Sequence, residues 1–167
     1  MNIAQLFSTP IAVYDNVSTN PDLIATIASR DEQSADTSFH TKSHVQELTA
    51  AVEDYANMFS MYLYGRPSTI RSSYPMIAGS GSYQPQISKL SRSIDFSGVY
   101  YPQIDDNESI IFHSPFQNIY LINQKTTVKI EARQNRLILF PTYLEHSFRP
   151  IKRDVERINL FFNFKLD

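Results

Sequence analysis

Two residues near the C-terminus, His146 and Arg157, have the types and the spacing for chemistry at a buried site. They stand eleven residues apart in the segments FPTYLEHSF and ERINLFFNF. A histidine that leaves one strand and an arginine on the next strand can face the same cavity of a β-barrel. The imidazole would then supply one metal ligand, and the guanidinium would bind a carboxylate.

The ligand set of such a metal site is incomplete in this sequence. An iron site of this kind needs two further ligands, usually spaced His-x-Asp or His-x-His, because alternate residues of a strand point the same way. None of the four histidines is followed two residues later by Asp, Glu or His. The sequence therefore predicts a carboxylate-binding half of the site and lacks the pair that would complete the metal-binding half.

Each candidate residue also has a structural interpretation. His146 is a metal ligand only if Asp95 or a distant histidine is brought close by folding; otherwise it is hydrogen-bonded inside a pocket without metal. A buried Arg157 needs a carboxylate partner. That partner is either a ligand or a structural one among Asp154, Glu145 and Glu156.

Other polar and aromatic residues carry weaker signals. His40 and His44 are four residues apart with no glutamate between them, and they are interpreted as loop and first-turn residues. His113 precedes Ser-Pro and is expected to be a polar strand terminus. Tyr100 and Tyr101 are adjacent in a predicted strand, so one is expected in the core and the other outside.

Composition indicates a single β-rich domain. The 167 residues are 42% hydrophobic and 13% aromatic, which is enough for one buried core and favours strands over a helical bundle. A formal net charge of −2 offers no basic field to nucleic acid or to an anionic membrane. The absence of cysteine excludes disulfides, thiolate catalysis and zinc–cysteine or iron–sulfur sites.

One strand and two helices are predicted in residues 1–65. Leu6 to Tyr14 is expected to be a strand at a sheet edge, because it contains Pro10. Asn20-Pro21-Asp22 favours the start of a first helix. The longest helix is expected from roughly Ser43 to Tyr64, with a capping box at its start and Gly65 at its end.

After Gly65 the periodicity changes from helical to alternating, and residues 66–167 are predicted to form a β-strand core. The short spacing of the strands is typical of antiparallel sandwiches and barrels. We therefore expect a mainly β fold with N-terminal helices, a double-stranded β-helix (a cupin-like jelly roll) with helices packed on one sheet. The predicted strands are Thr69–Ile77, Phe96–Tyr101, Ser109–His113, Ile119–Ile122, Thr127–Glu131, Arg136–Phe140, Ser147–Pro150 and Arg157–Phe164.

Four short segments occur in an order that covers almost the whole chain. They are LFSTP with VYD at residues 6–15, SGVYY at 97–101, LILFP at 137–141 leading to His146, and Arg157-Ile158 closing on FNF at 162–164. In this combination the chain resembles the 2-oxoglutarate/Fe(II)-dependent oxygenases found in cyanophages and marine bacteria.

The resemblance implies roles for particular residues. In these oxygenases a His-x-His or His-x-Asp pair lies shortly before the second of these segments and supplies two iron ligands. The corresponding residues 84–96 contain no histidine, and their only carboxylate is Asp95. By resemblance, His146 takes the position of the distal iron ligand and Arg157 that of the arginine that binds the co-substrate carboxylate. Asn135 stands where the family often has a glycine in a left-handed turn.

We therefore expect a catalytically degenerate protein of this oxygenase type that acts as a structural or binding module without Fe(II) or 2-oxoglutarate. One imidazole cannot fix Fe(II) and also leave the ordered open positions that an oxygenase needs. The resemblance to phage proteins implies protein partners or a homo-oligomer, with a virion neck or tail component as one role, and no nucleic acid or membrane. No signal-peptide pattern is present, so a cytoplasmic or virion-associated protein is expected.

The alternative is an active Fe(II)/2-oxoglutarate-dependent hydroxylase with a rearranged site. It would use His146 and Asp95 as metal ligands, together with a water, and Arg157 to hold 2-oxoglutarate. A third hypothesis is a pseudoenzyme that still binds a carboxylate metabolite at Arg157. Fe(II) binding discriminates the enzyme from a structural module, which must instead self-associate or attach to a partner.

Overall fold

A computed structural model of the protein describes residues 2–6, 9–18, 38–78, 93–104, 108–115, 127–149 and 157–167. Two short 3₁₀ turns, Phe39–Thr41 and Ser43–Val45, precede the helix α1. The helix and the strands are α1 (Gln46–Tyr64), β1 (Asn2–Leu6), β2 (Thr9–Tyr14), β3 (Ser68–Ala78), β4 (Phe96–Gln103), β5 (Ser109–His113), β6 (Thr127–Glu131), β7 (Arg136–Pro141), β8 (His146–Phe148) and β9 (Arg157–Leu166).

The strands form two antiparallel sheets. The larger sheet has six strands in the order β1-β2-β7-β4-β9-β3, and the smaller has three in the order β6-β5-β8. Strands that neighbour each other in space are mostly distant in sequence, as a jelly roll requires. This topology confirms the predicted fold class.

The larger sheet is buried on both faces, which gives the protein two cores. One face lies under α1, where Phe59 of the helix meets the edge of Phe96 of β4 with ring centroids 5.3 Å apart. The other face meets the smaller sheet through aromatic contacts such as Phe112 with Phe140, 5.0 Å apart. Tyr100 is buried in the first core and Tyr101 in the second. The expectation that one of them points outward is therefore wrong, because both faces of β4 are covered.

The end of α1 agrees with the sequence, and its start does not. Gly65 has a φ of 65° and its N–H donates to the carbonyl of Met61 at 3.1 Å, so the left-handed C-terminal turn is confirmed. The predicted capping box at Ser43 is wrong, because Ser43 lies in a 3₁₀ turn and the helix begins after Val45 without a side-chain cap. Val45 is 2% exposed, so packing sets where this helix starts.

The N-terminal segment forms two strands rather than the single predicted one. β1 pairs with β2 and lies at the edge, whereas β2 lies between β1 and β7. β2 pairs with β7 only from Ala12 onward, so Pro10 lies where β7 is not its neighbour. Asn135 has the expected left-handed conformation, with a φ of 61° in the turn between β6 and β7. The predicted helix start at Asn20 and the predicted strand Ile119–Ile122 lie outside the described residues.

Candidate ligand site between the two sheets

β9 places four side chains in the space between the sheets. Phe161 belongs to the core between the sheets, whereas Ile158, Leu160, Phe162 and Phe164 pack in the core under α1. Because side chains alternate along a strand, the odd-numbered residues of β9 face the smaller sheet. These inward residues are Arg157, Asn159, Phe161 and Asn163.

A cavity of about 90 Å³ lies between the sheets at the end of β9 that carries Asn163. His146 is the imidazole in its wall, and among the described residues no carboxylate, lysine or arginine lines it. The walls combine aromatic and thioether groups with neutral polar ones. The lining residues are Tyr74, Met76, Phe140, Phe161, Ser97, Thr142, Asn163 and His146.

The His146 ring is held by a backbone hydrogen bond and by aromatic rings. It is 7% exposed, and its Nδ1 lies 3.2 Å from the carbonyl oxygen of Leu144. In the neutral ring Nδ1 therefore carries the proton and donates it to this carbonyl. The rings of Phe140 and Phe148 meet the imidazole edge to face at 4.8 and 5.8 Å. A backbone carbonyl on one ring nitrogen is also what orients many metal-bound histidines.

The polar side of the cavity is a chain of neutral groups that crosses the larger sheet. The Ser97 hydroxyl donates to Oδ1 of Asn163 at 3.0 Å, and the Asn163 amide donates to the Ser72 hydroxyl at 3.0 Å. The hydroxyls of Ser97 and Thr142 are 3.4 Å apart. These bonds fix the orientation of the Asn163 amide without adding charge.

Asp95, the carboxylate proposed as a second metal ligand, is engaged at the opposite end of β9 from Arg157. Its Oδ2 accepts the N–H of Leu166 at 2.9 Å and lies 3.1 Å from Nζ of Lys165. Partial burial would raise the pKa of this carboxyl, but the Leu166 N–H and the Lys165 ammonium outweigh it and the pKa is lowered. Asp95 is not among the lining residues of the cavity at His146.

Arg157 is buried, but its carboxylate neighbour is not one that the sequence suggested. Its Nη1 donates to the carbonyl of Arg149 at 3.0 Å and lies 3.7 Å from Oε1 of Glu108. Burial lowers the pKa of the guanidinium, and Glu108 opposes that effect. Glu108 stands two and four residues before Ile110 and Phe112, which are buried. Because alternate residues of a strand point to the same face, the alternation of β5 was the signal that could have predicted a buried Glu108. Asp154 and Glu156 lie outside the described residues.

Further polar groups lie buried near Arg157. Nε and Nη2 of Arg157, the hydroxyl of Tyr101 and both amide atoms of Asn159 have no hydrogen-bond partner among the described residues. Buried polar atoms are nearly always paired with protein or with ordered water. Sequence reasoning did not identify Asn159, because an asparagine in a strand has no distinctive pattern.

Phe148 contacts both candidate residues of the predicted site. Its ring centroid lies 5.8 Å from that of His146, and the Cζ of Arg157 lies 5.2 Å from it. Phe161 meets the same ring edge to face at 5.8 Å. In the described part of the chain, His146 lines the cavity whereas Arg157 and Phe148 do not.

The described residues do not fit an Fe(II) and 2-oxoglutarate site. All four histidines are described, and His40 and His113 are hydrogen-bonded to Ser73 and Ser147 through a ring nitrogen at 2.9 Å. In the described part of the chain, no group of three or more His, Asp or Glu residues is placed to hold a metal. The donor set beside His146 consists of hydroxyls and one amide, which bind Fe(II) poorly without a carboxylate.

Comparisons with known proteins identify the fold but not a sequence family. No protein-family model and no curated protein matches the sequence. Among solved structures, HygX from Streptomyces hygroscopicus with nickel and 2-oxoglutarate bound has a TM-score of 0.66 at 12% identity, over 93% of this chain and 81% of that one. A Pseudomonas putida prolyl-4-hydroxylase also has a TM-score of 0.66, at 15% identity, over 93% of this chain and 85% of that one.

A larger protein of known structure shares the architecture over less of its length. An oxidoreductase of the 2OG-Fe(II) oxygenase family from Burkholderia pseudomallei has a TM-score of 0.55 at 12% identity, and the chain spans 58% of its length. Separately, no helix in the described part of the chain combines the length and the apolar character needed to cross a bilayer. The jelly roll of this chain is the fold of the 2-oxoglutarate/Fe(II) oxygenases.

Proposed function

We propose that the protein is a catalytically degenerate form of this oxygenase fold that acts as a binding or structural module. The observation that supports the proposal is the cavity at His146, whose described lining contains one imidazole and no carboxylate. Losing a group that only orients a metal ligand typically costs about 10–100-fold in metal affinity, so losing two ligands costs more. The residues of this cavity suit a small neutral ligand better than a divalent cation.

The second argument concerns the co-substrate. 2-Oxoglutarate carries two negative charges, and its binding needs a net positive site. Here Glu108 lies 3.7 Å from the Arg157 guanidinium and offsets its charge. Arg157 is also not among the described residues that line the cavity at His146. Carboxylate binding at Arg157 would have to compete with Glu108, which disfavours the pseudoenzyme sensor as well as the enzyme.

A module without chemistry acts through a surface, and we propose that this protein binds a protein partner or a second copy of itself. The side chains of Met58, Met61, Tyr62 and Tyr64, which we call the apolar helix face, are 39–62% exposed on α1. Exposed apolar groups that lie together commonly mark protein contacts. A role in a phage neck or tail is supported by the resemblance to phage proteins described above.

The experiment is an anaerobic Fe(II) titration followed by an assay for succinate release from 2-oxoglutarate. We expect no stoichiometric Fe(II) binding and no succinate above a protein-free control. His146→Ala and Asp95→Asn are the matched variants. Turnover that either substitution abolishes would overturn the proposal and identify the enzyme with a rearranged site.

A further inference from the structure

We propose that the cavity at His146 binds a small uncharged molecule that has one apolar end and one hydrogen-bonding end. This inference rests on the proposed function, because a metal-loaded site would present a charge to its ligand. It goes further by assigning a ligand class that differs from both Fe(II) and 2-oxoglutarate. Four properties of the cavity carry it: the walls, the polar rim, the charge of the lining and the size.

The walls suit an apolar group. Tyr74 and Phe161 stack with centroids 5.4 Å apart and an interplanar angle of 12°, and together they form one rigid wall. Phe140 is fully buried and adds a second wall beside His146. Met76 contributes a flexible thioether that adapts to the shape of a ligand. Burial of a methylene group against such walls contributes about 0.8 kcal/mol.

The polar rim has hydrogen-bonding capacity beyond its internal bonds. A hydroxyl has one donor and two acceptor lone pairs, and a carboxamide has two donors and two lone pairs. Ser97 donates to Asn163, and Asn163 uses one donor toward Ser72. These internal bonds leave acceptor positions at Ser97 and a second amide hydrogen at Asn163 unused, and since the cavity surface is mainly apolar, the rim has room for only one hydrogen-bonding group of a ligand. Because the internal bonds orient these groups in advance, a ligand does not have to order them.

The described lining of the cavity offers no countercharge to an anion. The residues that line it include no lysine or arginine in the described part of the chain. Arg157 is not among these lining residues. Against this lining an anion would lose its hydration shell without gaining a countercharge, which is unfavourable.

The size limits the ligand to a few atoms. A dry cavity of about 150 Å³ accommodates a benzene ring, and this one has about 90 Å³. The enclosed part of a ligand is therefore limited to about three or four non-hydrogen atoms, such as the hydrocarbon chain of a short carboxamide whose amide stays at the polar rim. Butyramide is a suitable probe, and butyrate is its charged counterpart of nearly the same shape.

The methionines of the chain provide a reporter and internal controls for one experiment. Met76 lines the cavity, whereas Met58 and Met61 are about half exposed on the apolar helix face. In protein labelled with ¹³C at the methionine methyl groups, butyramide at pH 8 should shift the Met76 signal saturably, with a Kd on the order of 1 mM. The Met58 and Met61 signals should stay in place, and butyrate should leave Met76 unchanged.

Two substitutions at one position test where the probe binds. Ser97→Ala keeps the space but removes a hydroxyl, and it should weaken butyramide binding by about 2- to 10-fold. Ser97→Leu fills the space and should abolish the Met76 response. If Ser97→Leu does not fold, the comparison of butyramide with butyrate in the unsubstituted protein still decides the question.

The outcomes separate this inference from the proposed function. No Met76 response to butyramide, equal shifts at the three methionines, or an equal response to butyrate would overturn the neutral-ligand site. If succinate release is absent, none of these results contradicts the proposed loss of oxygenase activity. A Met76 response to Fe(II) with 2-oxoglutarate, accompanied by succinate, would overturn both.

Discussion

Arg157 and Glu108 depend on each other because both charges lie inside the protein. Arg157 is 2% exposed and Glu108 is 8% exposed, and the nearest atoms of the pair are 3.7 Å apart. A buried ion pair gains little net stability over apolar residues, but removing one partner leaves an uncompensated charge. The pair therefore explains why an arginine persists in this interior without requiring a bound carboxylate.

We predict that Arg157→Met lowers the free energy of unfolding by about 3 kcal/mol, because Glu108 loses its described cationic neighbour. Urea denaturation followed by fluorescence measures the change. The double variant Arg157→Met with Glu108→Gln should lose less than the sum of the two single changes. Strict additivity would contradict a coupled pair.

Tyr100 is one of the buried tyrosines through which alkaline pH should act on the fold, together with Tyr14 and Tyr101, whose phenol pKa values burial also raises. The Tyr100 hydroxyl donates to Oδ1 of Asn135 at 2.8 Å, and burial raises the pKa of the phenol to about 12. In the unfolded chain a tyrosine ionises near pH 10. A raised pKa means that the neutral phenol is favoured in the folded state, so its contribution is present below about pH 10 and is lost as pH rises toward 12.

In Tyr100→Phe, the free energy of unfolding should therefore fall less steeply between about pH 10 and 12 than in the unsubstituted protein. At lower pH the substitution also removes the hydrogen bond to Asn135. Urea midpoints measured across this range test the prediction, and absorbance at 295 nm should show one fewer late-ionising tyrosine. Tyr62→Phe, at a side chain that is 62% exposed, is the matched control and should leave the alkaline profile unchanged.

At the scale of elements, the alternating pattern predicted most strands within a few residues. Ser109–His113 and Thr127–Glu131 have the predicted bounds, and the end of α1 follows from Gly65. These features depend on local backbone preferences, which a short segment carries by itself. The start of α1 depends instead on the burial of Val45, which no local pattern encodes.

The candidate site was less predictable for the same reason. Local spacing identified His146 and Arg157, but the contact of both with Phe148 and the proximity of Glu108 to Arg157 result from how β5, β8 and β9 meet. These contacts join residues far apart in the sequence. A single sequence therefore indicated which side chains point inward and could not indicate which of them touch.

On β4, close packing leaves no room for a larger side chain at Gly98. A Cβ atom on Gly98 would lie 2.6 Å from Cδ2 of Leu139 and 3.4 Å from the Phe164 ring. Gly98→Ala should therefore lower the free energy of unfolding by about 1–3 kcal/mol through overpacking. Shortening the neighbour in the double variant Gly98→Ala with Leu139→Val should recover part of that loss, and thermal or urea unfolding measures both. If the losses of the two single variants simply add in the double variant, a steric clash between Gly98→Ala and Leu139 is not the cause of the destabilisation.

At the scale of the whole molecule, the apolar helix face carries four of the five large hydrophobic side chains that are exposed in the described part of the chain. It carries no charge, because the last two turns of α1, residues 57–64, contain no Asp, Glu, Lys or Arg. Each of its four half-exposed side chains offers on the order of 100 Å². That amounts to roughly half of the 800 Å² or so that each partner buries in an interface of standard size. A second copy placed about a two-fold axis would bury the same apolar groups, with two carboxylates close to the contact: Asp54, exposed one turn before Met58, and Asp95, near Tyr64.

We therefore predict that the protein self-associates through this face and that Met61→Glu shifts it toward the monomer, because burying an unpaired carboxylate at the contact is unfavourable. Sedimentation velocity across a concentration series measures the shift. Ala50→Glu is the matched control, since it adds the same charge at an exposed position of the N-terminal half of α1 and should leave the sedimentation unchanged. Neither substitution should change the Met76 response to butyramide, because the cavity lies on the other side of the larger sheet from α1. A monomer at every concentration would contradict self-association and would direct the search toward a different protein partner for the same face.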